Sequence, residues 1–268
     1  MCGTCGCDIA EAVDHDRGHD LPHEHVDPEG LRYAHVHDRA GHSHDRTMVN
    51  VETRLLAKND ALAADSRAWF ETHNILALNL MSSPGSGKTT LLVRTINDLR
   101  DSRPLYVIEG DQETSRDAEL IRETGAQAVQ LNTGTGCHLD AEMVSRGIAE
   151  LAPADGSIVL IENVGNLVCP ALFDLGERAK VAILSVTEGD DKPLKYPHMF
   201  RAAELLLLNK IDLLPYVDFN ILAAIAHAHQ VNPELTVLCV SARTGEGMAA
   251  WYAWIAREIG RGRRPVLA

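Results

Sequence analysis

The segment Ser82-Ser83-Pro84-Gly85-Ser86-Gly87-Lys88-Thr89-Thr90 has the residue types and spacing to hold a polyphosphate. Gly85 and Gly87 let the backbone wrap closely around phosphate, with amides pointing inward. A helix starting here adds positive potential at its N-terminus. Lys88 can reach the β and γ phosphates, and the Thr89 hydroxyl can hold Mg²⁺. Ser82 stands where such loops usually carry glycine, so the turn must suit a residue with a Cβ. Mg²⁺ also needs an acid, and Asp111 and Glu162 each follow an apolar run, as expected at the carboxyl end of a strand. Either can bind the ion directly, bind it through water, or orient the attacking water. Gly165 can offer its amide to the γ-phosphate.

A second polar cluster points to the base. Asn209-Lys210-Ile211-Asp212 follows the run Leu205–Leu208. A carboxylate at Asp212 accepts from guanine N1–H and the exocyclic amine, donors that adenine lacks at those positions. Lys210 can lie across the base plane, and Asn209 can bridge to the phosphate loop or the base. Ser241-Ala242-Arg243 follows the next apolar run and can present a backbone amide to guanine O6.

Three sets of soft or borderline ligands follow. Cys2, Cys5 and Cys7 form Cys-x-x-Cys-Gly-Cys, able to close on one ion. With the initiator Met removed, the Cys2 amine joins them, a donor set suited to square-planar Ni²⁺; Zn²⁺ is the alternative. The acidic arm that follows carries His15, His19, His23, His25, His35, His37, His42 and His44, a density that binds Ni²⁺, Zn²⁺ or Cu²⁺, or that serves simply as a solvated linker. Cys137-His138 and Cys169 sit on two loops leaving strands near the nucleotide, and make an incomplete tetrahedral set open to water or to a second subunit. Cys169 ends the segment that begins with Glu162 and Gly165, which links phosphate state to a metal ligand. Cys239 lies inside an apolar run and reads as a core residue, and His198, His227 and His229 have ordinary structural readings.

Positioning these groups requires strands alternating with helices. Composition changes near Thr47: residues 8–46 hold ten acids, four arginines and eight histidines and cannot form a core, so 1–46 reads as a mostly disordered metal-binding arm. Periodicity predicts helices over 49–72, 89–99, 115–123, 139–151, 216–229 and 247–259, with Ser115 as an N-cap. Apolar runs at 75–81, 105–108, 128–131, 158–161, 181–186, 205–208 and 236–240 predict strands. Residues 47–268 therefore read as one α/β domain, a mostly parallel sheet with helices on both faces. The net charge of −13 argues against nucleic acid, and no apolar run reaches the roughly 20 residues a membrane helix needs. Clustered cysteines without a secretory signal fit a reducing cytoplasm.

Together these strings resemble the hydrogenase nickel-incorporation GTPases, the HypB family. The resemblance rests on Met-Cys-Gly-Thr-Cys-Gly-Cys, the histidine arm, Ser-Pro-Gly-Ser-Gly-Lys-Thr-Thr, Glu-Gly-Asp, Gly-Cys-His-Leu-Asp, Glu-Asn-Val-Gly-Asn-Leu-Val-Cys-Pro and Asn-Lys-Ile-Asp. The resemblance implies a P-loop NTPase of the SIMIBI-type GTPase class that binds GTP and GDP and delivers nickel to the NiFe hydrogenase large subunit precursor. It implies a GTP-linked homodimer and cooperation with the metallochaperone HypA. It also implies nickel ligation by Cys2, Cys5 and Cys7, and a second metal site, for Ni²⁺ or Zn²⁺, at Cys137, His138 and Cys169. Lys192 and Lys195 face the nucleotide, an interface, or solvent. The related urease accessory GTPases fit less well, because of the cysteine-rich terminus and the Gly-Cys-His and Val-Cys-Pro strings. A nickel store with secondary GTPase activity is a further alternative.

Overall fold

The computed structural model describes residues 23–26, 32–35, 43–111, 116–134 and 136–261. Within the histidine-rich arm, β1 (His23–Val26) and β2 (Arg32–His35) pair antiparallel, with His23 opposite His35. Helix α1 (Ser43–Thr72) starts earlier than its apolar periodicity indicates. The boundary between the chain's two compact units falls inside it, at Leu56/Ala57.

The larger unit is built on seven parallel strands. These are β3 (Leu76–Ser82), β4 (Leu105–Asp111), β5 (Gln127–Asn132), β6 (Ile158–Glu162), β7 (Ala179–Ser185), β8 (Leu205–Asn209) and β9 (Thr236–Cys239), in the order β5-β4-β6-β3-β7-β8-β9. Each strand is an apolar run because both faces of the sheet are covered. Side chains alternate between the faces: Leu76, Leu78 and Leu80 of β3 join one core with Leu91, Ile96, Trp251 and Ile255. Ile75, just before β3, and Ala77 point the other way, toward Phe70, Val144 and Ile148. Helices α2 (Lys88–Leu99), α3 (Arg116–Glu123), α4 (Ala141–Leu151) and α8 (Ile221–Val231) make the long crossovers, with short helices α5 (Cys169–Leu172), α6 (Lys192–Lys195) and α7 (Pro197–Ala202) between β6 and β8, and α9 (Met248–Arg261) follows the last strand.

Several boundaries differ from the sequence expectation. The helix expected over 216–229 begins only at Ile221, as α8, and a 3₁₀ turn over Ile211–Tyr216 precedes it. Pro215 sits in the 3₁₀ turn, and Asn220 starts α8 by accepting a hydrogen bond from the Ala223 amide at 3.0 Å. The helix expected from Leu139 begins at Ala141, because Asp140 caps it by accepting from the Met143 amide at 2.8 Å. Leu139 is instead fully buried against Gly110, where a Cβ would lie 2.6 Å from its side chain. Strand β4 runs through this glycine to Asp111 rather than stopping at Ile108. Ser115 lies outside the described residues. No helix among the described residues is long and apolar enough to cross a membrane.

One buried amide ties α1 to the functional end of α4. Asn59 donates to the Asp174 carbonyl at 2.8 Å and accepts from the Ala141 amide at 2.9 Å. Asn59→Ala leaves both backbone groups unpaired in the interior and is expected to cost about 2–4 kcal/mol. Urea unfolding followed by circular dichroism measures that loss.

Candidate functional site

The carboxyl ends of β3, β4 and β6 open onto one cleft of about 570 Å³. Its lining runs from Ser82 to Thr90 and includes Glu109, Gly110, Glu162, Gly165 and Lys210. Ser82 closes β3 as a fully buried residue, and the left-handed turns fall later, at Gly85 (φ 77°) and Gly87 (φ 89°). That accounts for a residue with a Cβ at position 82. At Gly87 a Cβ would sit 2.7 Å from Asn209 Nδ2, so this approach also excludes a side chain.

Glu162 is the focus of the cleft. Lys88 Nζ lies 2.5 Å and Thr89 Oγ1 2.9 Å from its Oε1. The carboxylate is only 2% exposed, and its Oε2 is buried without a hydrogen-bond partner. Glu109 of β4 pairs in register with Glu162 and is equally buried, a neighbour the sequence reading quoted but gave no role. Asp111 closes β4, but its side chain lies outside the described residues. Gly165 packs on Pro84 of the phosphate loop, where an added Cβ would lie 3.2 Å from the proline ring.

Asn209 and Lys210 join this loop rather than standing apart from it. Asn209 Nδ2 donates to the Ser86 carbonyl at 3.0 Å, and its Oδ1 accepts from the Ala242 amide at 3.2 Å. Lys210, itself left-handed at φ 63°, donates to the Gly85 carbonyl at 2.6 Å. Ser241 Oγ donates to Asp212 Oδ1 at 2.6 Å, which orients that carboxylate, while Arg243 is exposed. The turn at 241–243 thus braces Asn209 and Asp212. Glu188, which the sequence reading did not single out, accepts from the Ser83 hydroxyl and from the Ser185 amide. Lys192 pairs with that glutamate at 3.6 Å and Lys195 with Asp191 at 2.6 Å.

The three ligand atoms of Cys137, His138 and Cys169 all lie within 4.8 Å of one another. A tight turn presents the first two: the Gly136 amide donates to the Thr133 carbonyl at 2.8 Å, and Thr133 Oγ1 donates to the Gly136 carbonyl at 2.9 Å. Thr135 of this loop lies outside the described residues. Cys169 is buried at the start of α5, ahead of Pro170. The His138 ring stacks on Phe173 at 3.8 Å between centroids. Burial pushes the His138 imidazole below its ordinary pKa, against the opposing charge of Asp140, which favours the neutral ligating form. Two sulfurs and one imidazole suit Ni²⁺ or Zn²⁺ and leave a coordination position open.

Other sulfurs and imidazoles are outside this cluster. Cys239 is half-buried in β9, with its thiol pushed up by burial. His227 Nδ1 contacts the Asp190 carbonyl and His229 Nε2 the Leu235 carbonyl. Cys2, Cys5, Cys7, His15, His19, His37 and His42 lie outside the described residues. Of His23, His25, His35 and His44 only the backbone is described.

A family model for the CobW/HypB/UreG nucleotide-binding domain matches residues 76–239. The hydrogenase maturation factor HypB of Rhizobium leguminosarum bv. viciae is 60% identical over 237 residues, spanning 88% of this chain and 77% of that protein. The chain belongs to the HypB family. Among solved structures, HypB from Helicobacter pylori in complex with nickel is 34% identical, with a TM-score of 0.73 over 79% of this chain and 99% of that one. HypB from Archaeoglobus fulgidus is 37% identical, with a TM-score of 0.72 over 76% of this chain and 100% of that one. The cleft at β3, β4 and β6 and the Cys137–His138–Cys169 cluster thus lie in a HypB nucleotide-binding domain, and the cleft carries the loop expected to bind the phosphates.

The lowered His138 pKa sets a pH dependence. The unfolded chain takes up this proton near the ordinary value of 6.5, before the folded protein does. The stability contributed by neutral His138 is present above that value and is lost as pH falls below it. Urea midpoints of metal-free wild type and His138→Asn, compared between about pH 5 and 7.5, should converge at the acidic end.

Proposed function

We propose that this HypB-family chain is a GTPase that controls nickel delivery to the NiFe hydrogenase large subunit precursor. One observation carries the reading: Lys88 and Thr89 converge on Glu162, and the segment leaving Glu162 ends at Cys169 in the thiol–imidazole cluster. Nickel in the related Helicobacter pylori structure supports a metal role for the family. In this reading residues 47–268 are the GTPase domain. The arm 1–46 is a nickel-binding segment, with Cys2, Cys5 and Cys7 as delivery ligands and the histidines as storage.

The phosphate loop holds the β and γ phosphates on inward amides, with Lys88 offsetting their charge. Thr89 and Asp111 would hold Mg²⁺, which would supply further charge neutralisation. Glu162 orients the attacking water, and the Gly165 amide meets the γ-phosphate. Asp212 accepts from guanine N1–H and N2–H, and Lys210 lies along the base. Loss of the γ-phosphate relaxes the segment 162–169 and so alters the cluster that holds Ni²⁺, or Zn²⁺ in its place. Hydrolysis is therefore the timing step for metal transfer, with a second copy of the chain and HypA as partners and the cytoplasm as the compartment.

Lys88→Ala is expected to abolish GTP turnover, measured as phosphate release, and to stop nickel incorporation into hydrogenase, while metal binding by the N-terminal thiols persists. Full maturation by that variant would overturn the reading. Base choice is tested separately. In Asp212→Asn the acceptor that pairs with N2–H is replaced by a donor, which suits the 2-oxo group of xanthine. Competition binding should move the preference from GDP toward XDP by about 100-fold or more, on the scale of a site whose polar pairing is reversed.

A further inference from the structure

The core contains a buried polar chain that neither binding site uses directly. Asn79 stands in the middle of β3, flanked by Leu78 and Leu80, and has no solvent exposure. Its Nδ2 donates to Glu177 Oε1 at 3.1 Å, and its Oδ1 accepts from Asn163 Nδ2 at 3.2 Å. Asn163, also fully buried, accepts at Oδ1 from the Leu139 amide at 3.1 Å and from the Val164 amide at 3.0 Å. Glu177 Oε2 accepts from the Leu175 amide at 2.7 Å.

The direction of every bond in this chain is determined. Backbone amides only donate, so Asn163 turns its oxygen to Leu139 and Val164 and its amino group to Asn79, which leaves the Asn79 amino group for Glu177. No carboxamide can turn over without leaving buried groups mispaired, at about 1–3 kcal/mol each. The chain therefore moves as one piece or breaks.

Its ends are what matter. Leu139 directly follows Cys137 and His138, and Leu175 follows Phe173, whose ring stacks on His138. One end thus seats the residue after His138, and the other seats the residue two positions after the ring that stacks on it. In between, Asn163 adjoins Glu162, the carboxylate that holds Lys88 and Thr89. Any displacement of Glu162 pulls on the acceptor that seats Leu139.

We infer that Asn163 is a positioning residue that couples the nucleotide cleft to the Cys137–His138–Cys169 cluster through its hydrogen bond to the Leu139 amide, with Asn79 and Glu177 as its anchor. This route differs from the direct connection along 162–169 to Cys169, because it acts on the His138 side of the cluster. The inference rests on the proposed reading that nucleotide and metal occupy these two sites. Coupling of this kind is a free energy shared by both ligands, so it appears as a ratio of metal affinities in two nucleotide states.

The test uses the full chain with Co²⁺ alone as the probe, because thiolate-to-cobalt bands report the cluster. A parallel titration of the chain carrying Cys137→Ser and Cys169→Ser is subtracted, which removes signal from the N-terminal ligands. Apparent Co²⁺ affinity is measured with GDP and with a non-hydrolysable GTP analogue. In wild type the two affinities should differ by about five-fold or more, and in Asn163→Ala they should agree within about two-fold. Both variants should keep a GDP affinity near that of wild type. Asn79→Ala, which removes the anchor but leaves the acceptor, serves where Asn163→Ala does not fold and should lose about half of the coupling free energy. A ratio unchanged from wild type in a folded variant would overturn the inference. A wild-type ratio of one also overturns it, while leaving both binding sites in place. Absence of a wild-type difference spectrum overturns the metal-site reading itself, and the inference with it.

Discussion

Glu162 is a carboxylate held at 2% exposure at the end of a central strand, and such a charge persists in the interior only with a cation and donors around it. Lys88 and Thr89 supply them, and both sit in the first turn of α2. Their reach depends on β3 and β6 being parallel neighbours, with Leu80 in register with Glu162. The phosphate loop and the loop leaving β6 are thereby fixed against each other, as the contact of Gly165 with Pro84 records. Everything functional in the domain is arranged around that juncture. Asn209 and Lys210 reach it through the carbonyls of Ser86 and Gly85, and the Cys137–His138–Cys169 cluster reaches it through the chain segment that ends at Cys169.

Apolar packing and buried polar groups divide the work. The Leu, Ile and Val side chains of the strands supply the non-directional drive for burial and would tolerate small shifts of one element against another. Asn59, Asn79, Asn163 and Glu177 do not, because each of their bonds has one permitted partner and a definite cost if missed. These residues cluster where loops, not strands, must be located: around Ala141, Leu139, Val164 and Leu175. Glu188 acts similarly on the other side of the cleft, joining Ser83 of the phosphate loop to the end of β7.

The electrostatics of the two sites differ in kind. The nucleotide cleft concentrates Lys88 and Lys210 among backbone amides within a chain of net charge −13, so its attraction for anions is local. The cysteine–histidine cluster is half-buried beside an aromatic ring, and its desolvation favours the uncharged imidazole of His138. A bound cation is the natural counterpart of such a donor set.

The strand end, glycine turn and helix start across Ser82 to Thr90 were legible from residue types alone, because the string itself carries that local geometry. The same holds for the place of Asn209 at a strand end and for the alternation of strands and helices, since apolar runs report two-sided burial directly. Helix ends were less legible: Asp140 and Asn220 moved two boundaries, a matter of single capping bonds. Sequence could name Cys137, His138 and Cys169 together but could not show their ligand atoms within 4.8 Å, because they belong to different loops. Asn79 left a visible trace, a lone amide inside an apolar strand, without indicating its partner. Which acid meets Lys88, where Asn163 points and what braces Asp212 depend on strand order and register, contacts between residues distant in the chain. Local sequence therefore determined the chemistry available to this protein, and the parallel sheet decided which of those groups meet.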